Sequence, residues 1–258
     1  MKSMNINKPF IIGMIHLPAT LTYKDWPGLR EFINKAKKDL KALEFGGIDA
    51  VLIENDADSP CQIDGVADVV SPMAIVAYEL VKIAKIPLGI EVLLNDPKAS
   101  LAIAKTCGLK FIRTDYFVDR MTRKEYGEFE INPKKIMDYK KKINAADIKI
   151  LADVQVKYAT MINKNKSIAI SVKQAIKEGA EGIVISGTIS GVQPITEDIR
   201  EAKEAAVGKV PILIGSGFSE KNAKNLMKYA DWAIVGNSIK TNGFVDVKKV
   251  TRLMKLIK

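Results

Sequence analysis

Two short apolar runs that end in small residues, Ile212-Leu213-Ile214-Gly215-Ser216-Gly217 and Ile234-Val235-Gly236-Asn237-Ser238, carry the clearest chemical signal in the chain. Small residues after a strand let backbone N–H groups approach an anion closely. Gly215, Ser216, Gly217, Gly236, Asn237 and Ser238 are therefore candidate phosphate ligands. Tight turns alone would use the same residues, but their recurrence on consecutive runs favours an anion. Ser186 and Gly187, which close an earlier run, together with Asn55 and Arg113, complete the candidate binding set.

Acid–base chemistry needs other side chains. The only histidine, His16, ends the first apolar run, and Asp115, Asp153 and Lys157 lie within or at the end of two later ones. A carboxylate there would serve as general base, while Lys157 would neutralise a developing oxyanion or, less readily, form a Schiff base. Glu91, Arg113 and Asp153 fall mid-run, where a charge must be paired, so an internal ion-pair network competes on equal terms with catalysis. Glu54, Asp115 and Asp153 together would suit Mg2+ or Mn2+, which prefer oxygen ligands, although no spacing signature marks a site and no metal ligand is assigned. One His and the distant Cys61 and Cys107 serve zinc poorly.

The elements that must position these residues alternate along the chain. Strands are expected at residues 10–16, 50–55, 88–94, 111–117, 149–157, 182–186, 211–215 and 232–235. Helices are expected at about 30–45, 71–84, 97–107, 133–144, 167–178, 194–207 and 247–257, with a further one capped by Ser219. Ser71-Pro72 reads as an N-cap followed by the first helical position. The polar stretch 56–70 reads as an active-site lid and the charged stretch 118–130 as a second flap. Eight strand–helix repeats without a second-domain linker imply one α/β domain, residues 1–258, folded as a (β/α)8 TIM barrel. The glycine-rich first turn of a Rossmann unit is missing. In such a barrel the loops after strands seven and eight commonly build a phosphate site.

Barrel strands alternate between the interior and the helix layer, which must be apolar. Ile150, Ala152, Val154 and Val156 take the helix side, so Leu151, Asp153, Gln155 and Lys157 are expected to point inward. The same parity turns Phe111, Arg113 and Asp115 inward, and Glu91 on the preceding strand.

Composition narrows the function classes. The chain has 258 residues, 47% of them hydrophobic, and a net charge of +10. Its basic residues spread over helical segments, as in Lys35, Lys37, Lys38 and Lys41, without the exposed aromatics of a nucleic-acid face, so no nucleic-acid partner is expected. Two cysteines are too few for a disulfide framework and fit a reducing, cytoplasmic setting. Lys2 and Lys8 before an apolar run imitate a signal peptide, but His16 and Pro18 interrupt it, and no stretch approaches a transmembrane segment. Scarce His and Gln match the depletion of thermolabile residues in hyperthermophiles. Homo-oligomerisation is left open.

Several of these stretches together resemble the BtpA/SgcQ family. They are Gly13-Met14-Ile15-His16-Leu17-Pro18, Gly46-Gly47-Ile48-Asp49-Ala50 with Glu54-Asn55, Leu94-Asn95-Asp96, Phe111-Ile112-Arg113, Ala152-Asp153-Val154-Gln155-Val156-Lys157, Gly215-Ser216-Gly217 and Ile234-Val235-Gly236-Asn237-Ser238-Ile239-Lys240. The resemblance implies a TIM barrel and, in photosynthetic members, a role in photosystem I biogenesis, peripheral to the membrane. The chain departs from the family's His-Val-Lys-His, having Gln155-Val156-Lys157-Tyr158 instead, which leaves His16 as the only imidazole. It also carries Ala19-Thr20-Leu21 in place of a glycine-bearing turn, and Glu91 where Asn is common.

Two functions follow as expectations. The first is an enzyme acting on a small phosphorylated metabolite, a sugar phosphate or nucleotide-derived compound, by isomerase, lyase or glycosidic-bond chemistry. Phosphate would sit at 215–217 and 236–238, with His16, Asp115, Asp153 and Lys157 around the reacting centre. The second is a non-catalytic assembly factor for photosystem I.

Overall fold

The computed structural model describes residues 9–258. The first half of the chain runs β1 (Phe10–His16), α1 (Leu29–Gly46), β2 (Ala50–Glu54), α2 (Ala67–Val81), β3 (Leu88–Glu91), α3 (Pro97–Cys107), β4 (Phe111–Thr114), β5 (Met121–Arg123), β6 (Gly127–Glu128) and α4 (Pro133–Lys142). The second half runs β7 (Lys149–Val154), β8 (Thr160–Met161), α5 (Ile168–Lys177), β9 (Gly182–Ile185), α6 (Thr196–Ala206), β10 (Ile212–Ile214), α7 (Ala223–Leu226), β11 (Trp232–Val235), a 3-10 turn (Asn237–Ile239), β12 (Lys240–Thr241), β13 (Phe244–Val245) and α8 (Val247–Ile257). The strands β1-β11-β10-β9-β7-β4-β3-β2 close into a barrel of parallel neighbours.

The alternation of side chains separates two cores. Outward residues such as Ile11, Val51, Ile53, Ile90, Ile112, Ile150 and Ile183 pack under the helices. Inward residues Phe10, Ile12, Met14, Leu52, Phe111, Leu151, Val184, Leu213, Trp232 and Ile234 plug the lower barrel. Phe111 fits only because β3 carries Gly89 opposite it: a Cβ there would lie 2.3 Å from the ring. Burying one such aromatic side chain is worth about 1.5–3 kcal/mol. Helix α1 shows the complementary pattern, with Phe32, Ala36, Leu40 and Leu43 on its buried stripe. It stops where Gly47, at φ 89°, gives its N–H to the carbonyls of Leu43 and Glu44.

Several expected boundaries move. Helix α2 starts at Ala67, so Ser71 is not its N-cap and Pro72 lies inside the helix. Val69 is buried in the core one turn earlier, and that packing extends the helix back past a residue that ordinarily marks a start. The seventh helix shrinks to Ala223–Leu226, with Asn222 rather than Ser219 at its N-cap position and no side-chain capping bond. The expected lid at 56–70 is pinned: buried Asp58 accepts from Thr20 N (2.7 Å), Thr20 Oγ1 (2.9 Å) and Asn55 Nδ2 (2.9 Å). The charged segment 118–130 forms strands β5 and β6, which join β8 in a small antiparallel sheet. Its apolar side, Met121 and Phe129, packs on Tyr116, Leu94 and Val156. Lys2 and Lys8 lie outside the described residues, and the apolar run after them is barrel strand β1.

Candidate active site at the C-terminal mouth

Following the inward parity upward, the last inward positions around the barrel are His16, Glu54, Glu91, Arg113, Asp153, Ser186, Gly215 and Gly236. The first five, from β1 to β7, carry ionisable groups, and the other three, following β9, β10 and β11, are small. Charge thus faces nearly bare backbone across the mouth. Between them lies a cavity of about 550 Å³, lined among others by His16, Glu54, Asp56, Arg113, Lys157, Gly215 to Ser219 and Gly236 to Ser238.

On the backbone side, the hydroxyls expected to bind phosphate are already engaged. Ser216 Oγ donates to the Val192 carbonyl (2.7 Å) and accepts from Gly187 N (2.7 Å), while Ser238 Oγ donates to the Phe218 carbonyl (2.7 Å). These bonds tie the loops after β9, β10 and β11 together. The backbone amides of Ser216, Gly217 and Phe218 have no acceptor among the described residues. They, with exposed Asn237, are the donors open to an anion. Gly187 packs inside its own loop, where a Cβ would meet the Val192 carbonyl oxygen at 2.2 Å; Ser190 and Gly191 of that loop line the cavity instead.

On the charged side, Arg113 donates to Asp153 twice, Nε to Oδ2 at 2.7 Å and a terminal nitrogen to Oδ1 at 2.9 Å. Ser186 Oγ also donates to Asp153 Oδ1 (2.9 Å). Glu91 and Asp115 lie 3.6 and 3.8 Å from the same guanidinium. Burial opposes the charge of Arg113, but the carboxylates of Asp153 and Glu91 outweigh it and hold its pKa well above the usual value. Burial pushes Glu91 well above the usual carboxylate range, and Arg113 does not offset it. Asp115, Asp153 and Glu91 are not among the residues lining the cavity; they surround the guanidinium of Arg113, which is. Asp115 and Asp153, expected around the reacting centre, are placed against the buried guanidinium of Arg113 rather than in the cavity lining.

Lys157 and His16 do reach the cavity. Lys157 is half-buried and makes no hydrogen bond or ion pair among the described residues. His16 is held well below its ordinary pKa by burial first, then by the charges of Lys240, Lys35 and Lys157, so its imidazole is neutral at pH 7. Its Nδ1 lies 3.3 Å from Asp56 Oδ2. Asn55 turns away: its Oδ1 accepts from Leu93 N (2.8 Å) and its amide nitrogen holds Asp58. Gln155 also departs from the expected inward parity, since the chain leaves the strand at its φ of 47°. Its amide donates to the Lys166 carbonyl at 2.9 Å. Tyr158, at the cavity rim, accepts from Ser190 N through its hydroxyl (2.9 Å). Asp56, Tyr158, Ser190, Gly191, Phe218 and Ser219 line the cavity but escape the parity argument, because each stands in a loop beyond its strand.

The trio Glu54, Asp115 and Asp153 does not gather as a metal site. Among the described residues, the group whose ligand atoms converge is His16, Glu54 and Asp56.

A closed parallel barrel with a polar cavity at the carboxyl ends of its strands defines a TIM barrel, and solved structures agree. Tryptophan synthase from M. tuberculosis matches with a TM-score of 0.64 at 14% identity, covering 98% of this chain and 94% of that one. N-(5'-phosphoribosyl)anthranilate isomerase from Pyrococcus furiosus matches with a TM-score of 0.57 at 14% identity, covering 95% and 96%. The BtpA family model matches residues 7–258, and the chain belongs to the BtpA family. It is 36% identical over 239 residues to the photosystem I biogenesis protein BtpA of Synechocystis sp., covering 92% of this chain and 82% of that relative.

Proposed function

We propose that this BtpA-family barrel is an enzyme acting on a small phosphorylated metabolite bound in the mouth cavity. The observation that carries this reading is the pairing of an unpartnered ammonium, Lys157, with the unspent amides of Ser216, Gly217 and Phe218 around one cavity. Backbone donors fixed by their own loops need no reorganisation to meet an anion, and a lysine adds a point charge. The phosphate rests on the 215–218 and 236–238 loops. The reacting end of the ligand points toward His16, Lys157 and Glu54. Neutral His16 serves as general base or acid, and Lys157 stabilises developing negative charge. Arg113, fixed by Asp153, presents a permanent positive charge to the same space.

The test is a turnover screen by 31P NMR with ribose and hexose phosphates and nucleotides. A change in the phosphorus spectrum of one compound class, abolished by Lys157→Met and by His16→Ala, supports the reading. No turnover of any of them by the folded native chain overturns it.

A second reading has one observation behind it, the 36% identity to the Synechocystis photosystem I biogenesis protein BtpA. No helix among the described residues is long and apolar enough to cross a membrane. Under that reading the chain docks on a membrane complex, and a native pull-down recovering that complex distinguishes it.

A further inference from the structure

We propose that His16, Glu54 and Asp56 hold a divalent transition-metal ion at the edge of the mouth cavity. Strands β1 and β2 place His16 and Glu54 side by side in register, and Asp56 follows two residues after Glu54. One ligand atom from each of the three lies within 4.8 Å of the others. Two donors each about 2.1 Å from a common ion stand at most about 4.2 Å apart. His16 Nδ1 and Asp56 Oδ2 already stand 3.3 Å apart, inside that limit, and the Asp56 side chain, 52% exposed on a loop, has room to adjust.

Glu54 supplies the independent observation. It is only 8% exposed, it lines the cavity, and its carboxylate makes no hydrogen bond or ion pair among the described residues. Carboxylates buried to this degree are normally paired or bound to a metal. The neighbouring acids show the contrast: Asp153 and Asp58 are saturated with donors from the protein. Lys157 and Arg113 line the same cavity, yet neither reaches Glu54 as an ion pair.

The donor set selects the ion. One imidazole nitrogen with two carboxylate oxygens suits Mn2+, Fe2+ or Zn2+, whereas Mg2+ and Ca2+ favour oxygen alone. Three protein ligands facing an open cavity leave further coordination positions for water or a ligand oxygen, as in catalytic rather than structural sites. The anion donors, in the loops after β10 and β11, are separate from these ligands, whereas His16 and Glu54 are shared with the reacting end of the proposed ligand, so an ion bound there would stand in place of His16 as the acid–base group.

The test strips the full-length chain with a chelator and titrates it with Mn2+, followed by the electron paramagnetic resonance signal of the free ion. Zn2+ is titrated by calorimetry, and no phosphate is present. One ion per chain is expected, with affinity reduced at least tenfold in both Asp56→Asn and Glu54→Gln. Asp56→Asn alters an exposed side chain, so it decides the matter even if Glu54→Gln folds poorly. Absence of saturable binding, unchanged affinity in Asp56→Asn, or equally tight binding of Mg2+ would overturn the proposal. Failure here leaves the phosphate site untouched, and failure of anion binding leaves the metal site untouched.

Discussion

Arg113, which lines the cavity, grips buried Asp153 through two hydrogen bonds, at 2.7 and 2.9 Å. Fork-to-fork pairing of this kind fixes both side chains as a unit. The guanidinium is thereby presented upward to the cavity, and the carboxylate is withdrawn from it. Removing the cation alone leaves Asp153 and Asp115 buried without compensation, which in other buried pairs costs about 3–5 kcal/mol. Arg113→Met is therefore expected to lower the unfolding free energy by roughly that amount. Denaturant titration checks it, and an unchanged midpoint would mean that the network holds nothing together.

Glu91 sets a pH dependence. Its carboxyl is pushed well above the ordinary value by burial, so the folded state retains a proton that the unfolded chain gives up. The native state then binds more protons than the unfolded one above about pH 4.3, and stability falls as pH rises from there toward the raised pKa. Glu91→Gln removes this loss. Relative to the native chain, the variant should gain melting temperature between pH 5 and pH 8, and a constant difference across that range would contradict the assignment.

Lys240 behaves in the opposite sense. Its ammonium nitrogen is buried without a hydrogen-bond partner, and burial, reinforced by Lys35, lowers its pKa to about 8. The charged form is penalised in the folded state at neutral pH, and the penalty fades as pH rises from about 8 toward the unfolded value. Lys240→Met should raise the melting temperature at pH 7 and lose much of that advantage by pH 10. A variant less stable at pH 7 would show that the ammonium has a stabilising role.

How much of this was legible in the sequence depends on where side-chain alternation holds. Along β7 the apolar Ile150, Ala152 and Val154 disclose the inward Leu151 and Asp153, because the helix-covered face has to be apolar. The rule ends at Gln155, where the backbone turns into the left-handed region and the side chain leaves the barrel. Small residues at Gly215 to Gly217 mark a loop of unspent amides, but residue type does not reveal that Ser216 and Ser238 spend their hydroxyls on neighbouring loops. Strands of two or three residues such as β5, β6 and β8 are too short to leave a period, so 118–130 reads only as a charged flap. Asp56 is hidden for a related reason: its meeting with His16 joins the loop after β2 to the end of β1, far apart in the chain.

Gly217 distinguishes architecture from ligand binding. At φ 64°, a Cβ there would lie 2.1 Å from Gln193 N, so the glycine is required by the meeting of two loops. Gly217→Ala should cost about 1–3 kcal/mol even without any ligand. A melting temperature equal to that of the native chain would show that the loops part freely.

The most direct test of a phosphate-binding mouth is calorimetric titration of inorganic phosphate and ribose 5-phosphate into the native chain, Asn237→Asp and Lys157→Met. Asn237 is exposed at the rim, so its replacement adds a repelling charge without disturbing the core. Saturable binding to the native chain, weakened at least tenfold in both variants while their melting temperatures stay unchanged, is the predicted result. No binding to the native chain, or binding that neither substitution weakens, would contradict it.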